Sequence, residues 1–265
     1  MSSVLLERLK PKERRGSKPR CHLLTHGSPD AVAARLTALA APFASVASSD
    51  RWMPQGFADL EEAQLHKAPR LLPAALNARL GRWWLPADRL DARTPNFDIA
   101  STCTIDGAPA LLLVEAKAHD TELRKEAAGR RLAADDSIER RASHATIGAA
   151  IESARMALEA ATRLTWHISR DSHYQMSSRF AWSWKLTELG IPVVLVYLGL
   201  LKADDMSKPG EVPFSDAAAW ETLVRSHSAP LFPGEVWDRR WSVKGVPLIP
   251  LIRSLELPLE HEAGS

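Results

Sequence analysis

Residues 96–118 read NFDIASTCTIDGAPALLLVEAKA, and this stretch decides the fold. Asp106-Gly107 stands between two strand-like runs, and both residue types tolerate the positive φ that a two-residue type I′ turn demands. The stretch is therefore predicted to form a β-hairpin. With Ile105 paired to Ala108, paired positions sum to 213, which sets Asp98 opposite Glu115. Directly paired side chains project to one face with Cβ atoms about 4.5–5.5 Å apart. Lys117, two positions on, shares that face. A four-residue loop keeps the three residues together, whereas a slip of one residue separates them. Leu111–Val114 is apolar throughout, as in a strand covered on both sides.

Two carboxylates this close repel unless a positive charge lies between them. A hard divalent cation with oxygen ligands answers that need, and Mg²⁺ binds through one or two carboxylates plus substrate phosphate. It can polarise a phosphoryl oxygen and acidify a bound water, which Lys117 could orient or deprotonate. The bland alternative is a surface cluster in which Lys117 only pairs with a carboxylate.

The pattern PNFD…LLLVEAK resembles the PD-(D/E)XK nuclease superfamily, with Asp98 as first acid and Glu115-Ala116-Lys117 as the E-x-K element. Pro95 departs from the pattern, being separated from the acid by two residues rather than standing beside it. The resemblance spans roughly residues 58–201. It implies an α/β fold with a restriction-endonuclease-like core, a mixed central sheet flanked by helices in the order αβββαβ. It also implies a Mg²⁺-dependent phosphodiesterase, Mn²⁺ substituting, with metal on Asp98, Glu115 and the Ala116 carbonyl and Lys117 beside the attacking water. A helix acid often reaches the metal in such proteins, and Glu62 is the candidate here. Gln175 and Arg179, at i and i+4 on one helix face, resemble the polar pair that steadies the lysine or a phosphate. His119 is expected to face away.

Outward from the hairpin, Ser28-Pro29-Asp30 opens a predicted helix through Leu39. A second helix is expected within residues 59–80, with breaks at Pro69 and Pro73, and Arg82–Leu85 is read as a short strand. Ile147, Ile151, Ala154, Leu158 and Leu164 mark an apolar helical face over 145–164. A helix fits 172–189, stopped by Gly190, and PVVLVYLGLL (192–201) reads as a central strand reached by a helical crossover. Residues 203–265 are expected as an irregular C-terminal extension on the core. Within it lie a helix at 215–225 and short extended pieces at 241–252 interrupted by Pro247 and Pro250.

Residues 1–27 read as a mobile arm whose first twenty residues carry seven Lys and Arg against two Glu, able to attract phosphates. The whole chain, 265 residues at net charge +2, has ordinary proportions for a globular protein, 45% hydrophobic and 25% charged. Residues 28–202 form the expected nuclease-like domain. The chain's two cysteines, Cys21 and Cys103, lack CxxC spacing, which argues against a disulfide scaffold or thiolate zinc site. No HExxH or phosphate-loop motif occurs, so zinc hydrolase and nucleotide-motor readings fall away. Without a long apolar segment the chain is expected in the cytoplasm and off membranes. DNA is the expected partner and RNA the variant. A homodimer is a candidate assembly, because a double-strand cut needs two sites if each cuts one strand. The alternative function is a catalytically inactive nuclease-like module that binds nucleic acid or a scaffold partner. Nine tryptophans are present. Trp83, Trp84, Trp182, Trp184, Trp237 and Trp241 could stack on bases, although packing is expected for most.

Overall fold

A computed structural model describes residues 3–207 and 211–259. The ends of the expected arm and extension, residues 1–2 and 260–265, lie outside it, as do residues 208–210. The hairpin forms as its sequence requires. Strands β2 (Ile99–Ile105) and β3 (Ala108–Lys117) pair antiparallel from Ile105↔Ala108 to Ile99↔Val114. Asp106 (φ 50°) and Gly107 (φ 79°) make the turn, and a Cβ at Gly107 would meet nothing, so the backbone angle is what favours glycine there.

From β3 the chain crosses over through helices α5 (Asp120–Glu126), α6 (Ile138–Thr162) and α7 (Tyr174–Glu188) to β4 (Val193–Leu201). β4 lies parallel to β3, from Leu111↔Val193 to Lys117↔Gly199. Gly190 (φ 87°) lets the chain turn out of α7, as expected. A two-residue strand β1 (Trp52–Met53) borders β2, while β6 (Val246–Glu256) and β5 (Trp241–Val243) extend the other side. The sheet is mixed and open, in the order β1-β2-β3-β4-β6-β5.

Helices cover both faces. Leu111, Leu113, Leu195 and Tyr197 share one apolar core with Trp182 of α7, Ile151 of α6, and Leu80 of α4 (Ala74–Trp84). Leu112, Val114, Ala116 and Val196 share the other with Leu36 of α3 (Pro29–Ala40) and Leu24 of α2 (Ser17–Leu24). Ser28 caps α3 by accepting the Ala31 N–H. A short α1 (Ser3–Glu7) precedes them, and α8 (Ala217–Ser228) packs Trp220 on the first core.

Four expectations are corrected. The helix sought in 59–80 begins only at Ala74, with Pro73 as its cap; residues 59–64 are extended, and Ala63 bridges Phe97. Arg82–Leu85 is not a strand but the end of α4, where Trp84 packs 5.6 Å from the Trp182 ring. The basic arm is packed: Arg20 is buried, its guanidinium 2.5 Å from the Asp205 carboxylate and 2.9 Å from the Leu257 carbonyl. Residues 246–256 are one unbroken strand. Pro250 fits because its carbonyl accepts from Asp238 beyond the end of β5, so its missing N–H lies off the β4 ladder. Pro247 precedes Leu248, the first residue paired with β4.

Candidate active site

Where β2 ends, the Asp98 side chain takes over the pairing. Its Oδ2 accepts the Ala116 N–H at 2.7 Å. In an antiparallel pair a residue's N–H and C=O point to the same neighbour, so the Ala116 carbonyl is aimed at that edge too. The alternation along β3 sends Ala116 to one core and leaves Glu115 and Lys117 on the other side, the side of Leu113 and Ala100. The parity expected of Glu115 and Lys117 holds; the ladder stops at Ile99↔Val114, so Asp98 meets the Ala116 peptide instead of pairing with Glu115.

Glu115 is almost enclosed, and α7 supplies part of its shell. Arg179 Nε donates to Oε2 at 2.5 Å, and Gln175 Nε2 donates to Oε1, as i and i+4 spacing allows. Lys117 Nζ lies 2.5 Å from Oε1. The Arg179 guanidinium also sits 5.0 Å over the ring of Phe97, the residue before Asp98. So α7 braces both acid-bearing strands.

The charges are unevenly matched. Burial, then the negative charge of Glu115, pushes the Asp98 carboxyl up to about 8. For Glu115 burial works upward, but Arg179 and Lys117 outweigh it and hold the group below its ordinary value. Burial opposes the Lys117 ammonium, yet Glu115, Glu126 and Asp98 together raise its pKa well above that of a free lysine. In this arrangement Lys117 carries a proton, which suits charge neutralisation rather than deprotonation of water.

The donor set fits an oxygen-preferring cation. A carboxylate offers about four lone-pair sites. Glu115 has three filled, leaving one on Oε2, and Asp98 has one filled. With the Ala116 carbonyl that gives three protein oxygens, and Mg²⁺ characteristically keeps several waters. The raised Asp98 is the specific observation: among the described residues its carboxyl makes no ion pair, and the charge of Lys117 only partly offsets burial and Glu115. Among the described residues no three His, Cys, Asp or Glu side chains are gathered to hold a metal, so a third carboxylate does not belong to the set.

Glu62 is the residue this excludes. It lies in the extended 59–64 segment rather than on a helix, and its carboxylate is held by Asn96 Nδ2 at 3.0 Å and Lys18 Nζ at 3.1 Å. Its charge still adds to the rise at Asp98. His119 also departs from expectation: two residues beyond Lys117, it keeps the parity of the acids. Its ring is buried, 3.9 Å from Glu122.

Two residues were missed. Glu126 is fully buried, 3.3 Å from Lys117 Nζ, and accepts from the Tyr197 hydroxyl at 2.7 Å. Tyr197 pairs with Glu115 across β3 and β4. It is the one polar side chain in PVVLVYLGLL, and a buried phenol needs an acceptor, so a signal for it existed. Glu126 had none, sitting in a charge-rich stretch that looks exposed.

Beside the cluster opens a cavity of about 500 Å³, lined by Arg93, Lys125, Arg130, Tyr174, Gln175 and Arg179 among others. Its cations suit a phosphate chain. The tryptophans offer no such platform: Trp84, Trp182, Trp184 and Trp237 are buried, and Trp83 and Trp241 half-buried.

No family model, curated protein or solved structure matches this chain. Its class is therefore that of its architecture, an α/β protein with a six-stranded mixed open sheet. Among the described residues no helix is long and apolar enough to cross a membrane.

Proposed function

We propose that this chain is a divalent-metal-dependent nuclease of the PD-(D/E)XK type, with a restriction-endonuclease-like core, hydrolysing phosphodiester bonds in DNA. One observation carries the reading: Asp98 bonds the peptide between Glu115 and Lys117, so two acids, a carbonyl and an ammonium converge on one strand edge. A hairpin, a helical crossover and a parallel strand in that order support it.

Asp98, Glu115 and the Ala116 carbonyl would hold Mg²⁺ or Mn²⁺. Such an ion supplies Lewis acidity toward a phosphoryl oxygen and a more acidic water. Lys117 offsets negative charge developing on the phosphate. Arg179 and Gln175 fix Glu115, and Arg93, Lys125 and Arg130 attract the flanking backbone.

The test is cleavage of linear, circular, nicked and single-stranded DNA, with RNA alongside, in Mg²⁺ or Mn²⁺. Cutting that EDTA stops and Lys117→Ala abolishes supports the reading; cutting by that variant at the wild-type rate defeats the mechanism. RNA as the preferred substrate would move the assignment to a ribonuclease.

A second reading is an inactive nucleic-acid-binding or scaffolding module. It is favoured by the saturation of Glu115, whose charge Arg179 and Lys117 already match. Binding of DNA without metal that survives Asp98→Ala, with no substrate cut, would select it.

A further inference from the structure

The Lys117 ammonium lies between two buried carboxylates, 2.5 Å from Glu115 Oε1 and 3.3 Å from Glu126 Oε2. The nearer acid is crowded, because Oε1 also accepts from Gln175 and Oε2 from Arg179. The farther acid is under-satisfied. Glu126 Oε1 accepts from Tyr197, but Oε2 is fully buried and, among the described residues, has no hydrogen-bond partner. His227 Nε2 is 3.9 Å from Oε1, but burial, then His173, pushes its pKa down to about 4, so it brings no charge.

A buried carboxylate oxygen without a donor is costly, and here one faces an ammonium at a separation only a few tenths of an ångström beyond a charge-assisted hydrogen bond. Glu115 meanwhile has one lone-pair site left for a cation.

Resting on the nuclease reading above, we infer that Glu126 is a positioning residue: it takes over the Lys117 ammonium from Glu115 when a divalent cation occupies the site. Tyr197 fixes the Glu126 carboxylate from its other oxygen, so the alternative partner is already oriented. One of the two lone-pair sites of Glu115 Oε1 is thereby freed, the other still accepting from Gln175, and Lys117 remains beside the centre with its charge.

Calorimetric titration with Mn²⁺ tests this on the full chain and needs no turnover. Glu126→Gln, which keeps an acceptor for Tyr197, is expected to weaken Mn²⁺ binding about tenfold, the scale of losing an outer-shell partner. In a Lys117→Met background the same change is expected to do nothing further, because Glu126 acts through Lys117. Glu126→Asp keeps the charge but withdraws the oxygen, and is expected to weaken binding as Glu126→Gln does; it carries the test if Glu126→Gln does not fold. Equal weakening in both backgrounds, or none in either, overturns the inference and leaves the nuclease reading standing. A wild-type chain that binds no Mn²⁺ overturns both.

Discussion

The Asp98 carboxylate accepts the backbone N–H of Ala116 at 2.7 Å, tying the first acid to the peptide between the second acid and the lysine. The contact replaces a backbone ladder bond at the point where β2 ends.

Asp98 should make the metal-free protein less stable as pH rises. Its carboxyl is raised from 3.8 to about 8, by burial first and then by the charge of Glu115. Between those values the folded chain keeps a proton that the unfolded chain has released. Its contribution is fully present below the unfolded value and is lost as pH rises through the folded one. Thermal unfolding in EDTA should show this decline in the wild type and a flatter profile in Asp98→Asn. Parallel profiles for the two proteins would contradict the assignment.

Divalent cation should reverse that instability. At a Mg²⁺ concentration about 100 times its Kd, linkage adds roughly 2.7 kcal/mol. For a chain of this size that raises Tm by about 5–10 °C. Asp98→Asn should show no such rise, and an equal rise in both would place the ion elsewhere.

Removing the shared counter-charge should cost both activity and stability. Lys117→Met leaves Glu115 and Glu126 facing each other without their ammonium. Breaking a buried pair from one side costs about 3–5 kcal/mol, and loss of a charge-stabilising donor lowers kcat by roughly 10²–10³-fold. Arg179→Met should bring a stability loss of similar size, since among the described residues Arg179 alone donates to Glu115 Oε2. Urea unfolding of both variants checks the first figure, and DNA cleavage by Lys117→Met the second.

Gly199→Ala probes the packing that holds β4 in place. A Cβ at Gly199 would lie 2.5 Å from the Trp220 ring of α8, which is fully buried. Overpacking of this kind costs about 1–3 kcal/mol, and urea unfolding should register it. An unchanged midpoint would show that α8 can shift freely.

What the sequence disclosed was whatever local chemistry controls. Asp106-Gly107 dictates a turn by backbone angle, and period-two alternation then places Glu115 and Lys117 without knowledge of any other element. Spacing put Gln175 and Arg179 on one face of α7, and the resemblance expected them on the lysine or a phosphate; they meet Glu115 instead. Glu62 could not be read this way. Whether residues 59–68 are helical depends on Ala63 bridging Phe97 and on the partners Lys18 and Asn96, from two distant parts of the chain. Glu126 was hidden for the same reason, since its burial is created by Tyr197, which lies 71 residues away. The tail looked broken because Pro247 and Pro250 interrupt local pairing rules; the start of the β4 ladder at Leu248 shows why the first is tolerated, and the short reach of β5 why the second is.

Anomalous scattering from crystals grown with Mn²⁺ tests the shared-cation claim most directly. One peak per chain is expected, about 2.1 Å from oxygens of Asp98, Glu115 and the Ala116 carbonyl, and none in Asp98→Asn. A peak bound elsewhere, or an empty centre at saturating Mn²⁺, would contradict it.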